Sequence, residues 1–408
     1  MSNGKPVRKV VWICKFSNQE LIAHFENWNI KESSPWINGL ITLFSNNETV
    51  DLHIVAPNVY NNRDLSFRKS GITYHLYKEF PSFIPRKLDR YIRWNYRTGF
   101  ASLKKKVSAI VDAIQPDIVH LHGAENAYYS AAILPLMDRY KTMVTIQGFI
   151  MDSSPEGIDR YVRRERIRVE KLILSKGANF GIECEFMVEK IREFNPGAHF
   201  FRHHYPVTIP GQAKDYAQNG EEYDCVFFGR ICRDKGIEDL IRAIGLVKRS
   251  KPDVTLHVIG SMDNEYADFL NNLCRENGIL DNISFTGFMK TQDQLFREAL
   301  KAKVTVLPTY HDALPGTVVE SMFMKIPVIA YNVGGIPELN TRGNAVILVE
   351  KGDIEAMAVK ITELLNDREY RKRLGESAFG IIHDMIRPDR IAGDILEAYD
   401  RIAPISAS

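Results

Sequence analysis

Short β-branched runs alternate with longer amphipathic segments along nearly the whole chain, and this alternation constrains the fold more than any other feature. In the first half, strands are expected at Val7–Cys14, Asp51–Ala56, Ile72–Leu76, Ile118–Leu121, Met143–Ile146, Phe180–Ile182 and around His199–Arg202. Helical patterns lie between them, as at Pro35–Phe44, Leu103–Ile114 and Arg160–Leu174. In the second half, Cys225–Phe228, Thr255–Ile259, Ile283–Phe285, Val304–Leu307, Pro327–Ala330 and Ala345–Val349 repeat the habit. Ile237–Val247, Tyr266–Glu276, Gln292–Leu300 and Ile354–Leu365 supply helices there. Such alternation implies parallel sheets built from right-handed βαβ units, an α/β fold.

A compact domain takes roughly 100–200 residues, so 408 residues suggest two. The series divides into Rossmann-like domains over residues 1–205 and 206–385. A last segment, 386–408, contains a helix expected at Asp389–Ile402 that crosses back to the first domain. His204-Tyr-Pro-Val-Thr-Ile-Pro-Gly211 and the polar run to Glu222 suit the linker. Ligands of open α/β sheets bind beyond the carboxyl ends of the strands, so two facing sheets would leave an interdomain cleft.

Composition excludes disorder, collagen-like repeats and coiled coil, with 45% hydrophobic and 25% charged residues. The net charge of +2 conceals an asymmetry. Residues 1–205 hold 29 Lys+Arg against 21 Asp+Glu, and the remainder 24 against 30. The excess is densest from Arg86 to Lys106, where Arg86, Lys87, Arg90, Arg93, Arg97, Lys104, Lys105 and Lys106 face only Asp89. Tyr91, Trp94, Tyr96 and Phe100 interleave with them. This pattern fits an anionic membrane surface, or equally a solvated helix with its aromatics turned inward. Nucleic-acid binding lacks a fold signal. No apolar run approaches the ~20 residues of a membrane span, and no secretory signal opens the sequence. The five cysteines have no metal-like spacing and read as reduced thiols. The expected setting is the cytoplasm, with peripheral membrane contact through residues 86–106.

Two stretches carry chemistry. In Val304–Ala330 a buried strand runs into a loop, and a helix starts near Pro315–Gly316. The free amides of Gly316, Thr317 and Val318 would form an anion site backed by the helix dipole. Glu320 lies one turn on, where a carboxylate could accept hydrogen bonds from ribose hydroxyls, or serve as a buried cap or ion pair. In Phe227–Ala243 a strand ends at Gly229, and Arg230 and Lys235 project from the following loop. Two cations there can neutralise a diphosphate, although loop cations are more often merely solvated. Neither a Walker loop nor a GxGxxG fingerprint is present.

Together these stretches resemble the retaining, nucleotide-sugar-dependent glycosyltransferases of family 4, which have the GT-B fold. Gly229-Arg-Ile-Cys-Arg-Asp-Lys-Gly236 looks like that family's GR…KG loop, Phe285-Thr-Gly-Phe288 its FxG turn and Gly334-Gly-Ile-Pro-Glu338 its GGxPE turn. Asp312 and Glu320 hold the positions of the E-x7-E pair. The resemblance implies that Arg230 and Lys235 bind the donor diphosphate and that Glu320 holds the ribose. It further implies that Gly316–Val318 meet the distal phosphate and that the Phe288–Met289 backbone lines the base pocket. Asp312 would contact the donor sugar, one methylene shorter than the family's Glu.

In the first half Asp117-Ile-Val-His-Leu-His-Gly123 looks like the family's D-x-x-H-x-H-G strand end, which would put His122 near the transferred sugar. His120 and His122 lack a third ligand at zinc-like spacing, so His120 reads as a core or capping residue. Thr145-Ile-Gln-Gly148 departs from the commoner T-x-H-G. Ser34-Pro-Trp-Ile-Asn-Gly39 would correspond to the glycine-rich first loop, with Gly39 passing close to the diphosphate. The implied activity is transfer of a sugar from a nucleoside diphosphate to a hydroxyl of a glycan or lipid-linked acceptor. No cofactor or obligatory metal is expected, since the cations and the helix end would do a metal's electrostatic work. A GT-B epimerase or a non-catalytic nucleotide-sugar binder would share the donor site and lack acceptor turnover.

Overall fold

The computed structural model describes residues 7–79, 92–153, 159–207 and 222–404. It divides into two compact units, one made of Met1–Pro206 with Arg387–Ser408, the other of Val207–Ile386. Arg86, Lys87, Asp89, Arg90 and Tyr91 of the basic run lie outside the described residues.

The first unit is built on strands β1 (Arg8–Ile13), β2 (Val50–Pro57), β3 (Leu65–Lys69), β4 (Ile72–Tyr77), β5 (Ile118–His122), β6 (Thr142–Thr145), β7 (Asn179–Ile182) and β8 (His199–Arg202). They form one sheet in the order β3-β4-β2-β1-β5-β6-β7-β8. All neighbours are parallel except the hairpin β3–β4. Central parallel strands are covered on both faces and so read as unbroken apolar runs. Val10 to Cys14 are accordingly all fully buried. The edge strand β3 was not expected, because Leu65-Ser-Phe-Arg-Lys is polar and half exposed. Its signal lies in the turn: Ser70 and Gly71 both have positive φ, at 50° and 78°, as a two-residue hairpin with the native twist requires.

The second unit contains β9 (Tyr223–Phe228), β10 (Leu256–Ile259), β11 (Ile283–Gly287), β12 (Ala302–Leu307), β13 (Val328–Tyr331) and β14 (Val346–Val349). Their order is β11-β10-β9-β12-β13-β14, with every pairing parallel. The strand order reverses between β9 and β12, and in the first unit between β1 and β5. The loops beyond the carboxyl ends at such a reversal diverge and leave a crevice for ligands. Arg230 follows β9, and the Pro308–Pro315 loop follows β12.

The helix Pro388–Ile402 packs on the first unit, against helix Pro35–Phe44 and β8. Its apolar face, Ile391, Ile395, Ala398 and Tyr399, is buried, and Arg8 closes its far end by pairing with Asp400 at 2.7 Å. The five cysteines are free. Among the described residues no helix is long and apolar enough to cross a membrane.

Candidate functional site

Three segments meet at the β9/β12 reversal of the second unit. The first is the loop after β9, where Arg233–Lys235 make a short 3-10 turn ending on Gly236 at φ 70°. A Cβ at Gly236 would sit 1.9 Å from the Pro308 carbonyl oxygen, so only glycine lets the two loops touch. The second is the loop after β12. It is tied to the first by the Tyr310 amide donating to the Asp234 carbonyl at 2.8 Å. The third is helix Gly316–Phe323, whose Thr317 hydroxyl donates to the Phe228 carbonyl at 2.9 Å. That bond anchors the start of the helix to the last residue of β9.

Within this frame the expected residues fall as follows. Arg230 is exposed and makes no ion pair or hydrogen bond among the described residues, leaving its fork open to an anion. Lys235 Nζ donates to both Asp312 carboxylate oxygens, at 2.7 and 2.5 Å, and Thr309 Oγ1 donates to the same carboxylate at 2.5 Å. The two side chains share a partly buried ion pair, each about one-fifth exposed. The GGxPE turn explains part of this placement. Gly334 has φ 57°, and a Cβ there would lie 1.7 Å from the Asp312 carbonyl oxygen.

The helix end differs in one respect from expectation. Val318 N–H donates to the Pro315 carbonyl at 3.0 Å, so it is not a free donor. Among the described residues the first turn offers the Gly316 and Thr317 amides, with no side-chain cap. Among the described residues nothing stands within 4 Å of a Cβ built on Gly316, so they leave the space before those amides open.

Glu320 lies four residues beyond Gly316. Burial pushes its carboxyl up to about 7, and the hydrogen bond from Gln292 lowers it only in part. Gln292 Nε2 donates to Glu320 Oε1 at 3.0 Å. Sequence reasoning missed Gln292, and its only sequence signal is its place in the first turn of helix Gln292–Ala299, just past the FxG turn. Phe288, 48% exposed, follows β11 at the carboxyl end of the same sheet. Met289 packs against the core that includes Val226 and Phe228.

Two expected residues belong to the first unit and are placed differently from expectation. Gly39 lies inside helix Pro35–Phe44, as the periodicity of the segment implies, and not in the glycine-rich loop that the resemblance implies. A Cβ there would meet Pro206 Cγ at 2.7 Å, so the missing side chain makes room for Pro206. His122 is fully buried. Its ring lies 3.9 Å from that of His120 and 4.7 Å from that of Trp12, and neither ring nitrogen has a partner among the described residues. Its carbonyl is already taken by the Tyr129 hydroxyl at 2.9 Å. Burial, then the neighbouring His203, holds the imidazole well below its ordinary pKa. A neutral, enclosed ring offers no accessible acid or base to a sugar.

His120 is the core residue of a hydrogen-bonded chain. Trp12 Nε1–H donates to the Tyr399 oxygen at 2.8 Å, which leaves the Tyr399 O–H for His120 Nδ1 at 2.7 Å. His120 Nε2–H then donates to Thr145 Oγ1 at 2.7 Å, and the Thr145 O–H donates to His203 Nε2 at 2.9 Å. Counting donors leaves this arrangement of protons. No group of three or more potential metal ligands occurs among the described residues.

Residues 209–380 match the family model described as Glycosyl transferases group 1, a stretch that spans nearly all of the second unit. The chain is 32% identical over 160 residues to the capsular polysaccharide biosynthesis glycosyltransferase CapM of Staphylococcus aureus. That alignment covers 37% of this chain and 39% of CapM. It is 22% identical to the N-acetyl-alpha-D-glucosaminyl L-malate synthase of Bacillus anthracis, over 82% of this chain and 88% of that enzyme. Among solved structures, HepE of Anabaena in complex with UDP-glucose superposes with a TM-score of 0.68 at 15% identity, covering 96% of this chain and 99% of HepE. The fold is GT-B.

Proposed function

We propose, from a second unit that matches the group 1 glycosyltransferases, that the chain transfers a sugar from a nucleoside diphosphate to an acceptor hydroxyl. One observation carries this reading. Unpaired Arg230, the Lys235 cation, two open helix-end amides and the high-pKa carboxylate of Glu320 all lie around the β9/β12 reversal. In this reading Arg230 clamps the diphosphate bidentately. The Gly316 and Thr317 amides receive the distal phosphate, and Glu320 accepts hydrogen bonds from the ribose. The Phe288–Met289 backbone borders the base. Asp312, bidentate on Lys235, sets where that charge stands. A diphosphate entering the site shares Lys235 with it.

The finer reading is a family 4, retaining enzyme. The acceptor oxygen forms a bond to the anomeric carbon on the face from which the phosphate oxygen departs, and the acceptor proton passes to that phosphate oxygen. Arg230, Lys235 and the helix end stabilise the charge on the leaving diphosphate, the place a metal fills elsewhere. The complex of HepE with UDP-glucose makes UDP-sugars the first donors to try. The names of CapM and the malate synthase point to a glycan or a small hydroxy acid as acceptor. The basic run at residues 86–106 would hold the protein at an anionic membrane surface.

The test is turnover of a panel of nucleotide sugars in excess EDTA. Arg230→Ala and Lys235→Ala are each expected to lose roughly 100-fold or more in kcat/KM, the cost of removing one stabilising charge, while remaining folded. Near-normal rates in both variants would remove the diphosphate assignment.

A further inference from the structure

The first unit holds a concentration of positive charge that the proposed function leaves unused. Helix Arg160–Lys176 carries Arg160, Arg163, Arg164, Arg166, Arg168, Lys171 and Lys176 against Glu165 and Glu170. Glu170 is buried, which pushes its carboxyl up to about 7. At the start of this helix lies a cavity of about 780 Å3, lined by Arg93, Asp159, Arg160, Tyr161, Arg163 and Arg164.

Most of these guanidinium groups are held in place. Arg93 pairs with Asp159 at 2.7 Å and lies 5.3 Å from the Tyr161 ring centroid. Arg164 lies 5.2 Å from the same ring. Arg163 donates to the Met151 and Ser153 carbonyls, at 3.3 and 2.7 Å. A ring face and a carbonyl orient a cation without cancelling its charge. Among the described residues Arg93 and Arg164 have carboxylate partners, and further along the helix Arg168 pairs with Glu165 at 2.8 Å. The Arg164–Glu165 distance is 3.6 Å, and Arg160 has no ion pair among the described residues. Asp159 is also committed to capping the helix, accepting from the Tyr161 and Val162 amides. Nearby, the Lys104 ammonium lies below its ordinary pKa, through burial first and then through Arg168 and Lys176. Glu165 alone offsets Arg164 and Arg168, so seven cations against two carboxylates leave the helix with a net positive field.

We infer that this cavity is an anion-binding subsite taking a phosphate or carboxylate group of a soluble acceptor. Arginine forks match both groups bidentately. The volume falls in the range of small-molecule sites, above what a lone ion needs. A concave site with fixed donors suits a discrete ligand better than a flat lipid surface. The word acceptor rests on the proposed transferase activity; the anion site does not.

The experiment is calorimetric titration of the full chain with inorganic pyrophosphate, UDP being present at saturation so that the second unit's cations are occupied. Pyrophosphate is expected to bind. Arg160→Ala and Arg164→Ala are each expected to weaken it roughly tenfold or more, the loss of a charge-assisted contact, with UDP affinity unchanged. Pyrophosphate affinity that both variants leave intact overturns the inference. So does binding to phosphatidylglycerol vesicles without binding of soluble pyrophosphate, which would reassign the charge to a membrane. Pyrophosphate binding in a chain that fails to bind UDP would sink the transferase reading and leave the anion subsite standing.

Discussion

Among the described residues the buried carboxyl of Glu320 receives a hydrogen bond from the neutral amide of Gln292 and pairs with no cation. With its carboxyl near 7, Glu320 holds a proton on much of the population at neutral pH before a nucleotide binds. If Glu320 holds the ribose as proposed, the hydroxyls donate to the ionised form, and binding draws the carboxyl down and releases that proton. The sign is fixed by linkage: nucleotide affinity rises with pH up to about 7 and levels above it. Below that point it falls by up to about tenfold per pH unit. The terminal phosphate ionises near pH 6 by itself, but that contribution is common to parent and Glu320→Gln and cancels in their ratio. UDP titrations from pH 5.5 to 8.5 should show the parent-to-variant affinity ratio climbing toward neutrality; a flat ratio would remove Glu320 from the ribose. Arg230, Lys235, Glu320 and Asp312 could be singled out in the sequence because each sits at a fixed offset from a strand end or a helix start. The pairing of Lys235 with Asp312, 77 positions apart, could not, since it depends on two loops meeting in space. Val318 and Gly39 differ from expectation for a related reason: the Val318 amide is bonded to the Pro315 carbonyl, and the Pro206 ring packs against Gly39, contacts that sequence spacing does not reveal.

At the scale of elements, the terminal helix Pro388–Ile402 is joined to the first sheet by more than apolar packing. Tyr399 is its polar anchor, with the indole of Trp12 on β1 and the imidazole of His120 on β5 as partners. All three side chains are fully buried, so removing the hydroxyl leaves an indole N–H and a ring nitrogen unsatisfied. Each such group costs about 1–3 kcal/mol. Tyr399→Phe should therefore lower stability by about 2–6 kcal/mol, with only small loss of packed volume. Urea unfolding of parent and variant measures it, and a change under ~0.5 kcal/mol would mean that water reaches the vacated hydroxyl. The helix itself could be read from its apolar spacing, as could all the central strands, because parallel strands buried on both faces leave continuous β-branched runs. The edge strand β3 could not, for an edge is half solvated and its sequence obeys solubility as much as pairing. The tautomer order through His120, Thr145 and His203 was equally hidden, since it joins residues from three separate segments.

Across the whole molecule, the structural division sharpens the charge asymmetry. The unit formed by Met1–Pro206 and Arg387–Ser408 carries 32 Lys+Arg against 25 Asp+Glu, and Val207–Ile386 carries 21 against 26. The proposed nucleotide site thus attracts a polyanion with a few placed donors inside an acidic unit, while the arginine cavity sits in a basic one. Salt screens exposed charges beyond a Debye length of about 10 Å at 0.1 M. At the nucleotide site it weakens the contacts to Arg230 and Lys235 but also the repulsion from the surrounding carboxylates, so the two effects oppose each other. At the arginine cavity both the contacts and the surrounding field attract, and salt weakens both. Pyrophosphate affinity measured with UDP bound is therefore expected to fall more steeply between about 0.05 and 0.5 M salt than UDP affinity does. Equal slopes would mean that the average charge of each unit does not reach its site, and that local donors alone decide what binds.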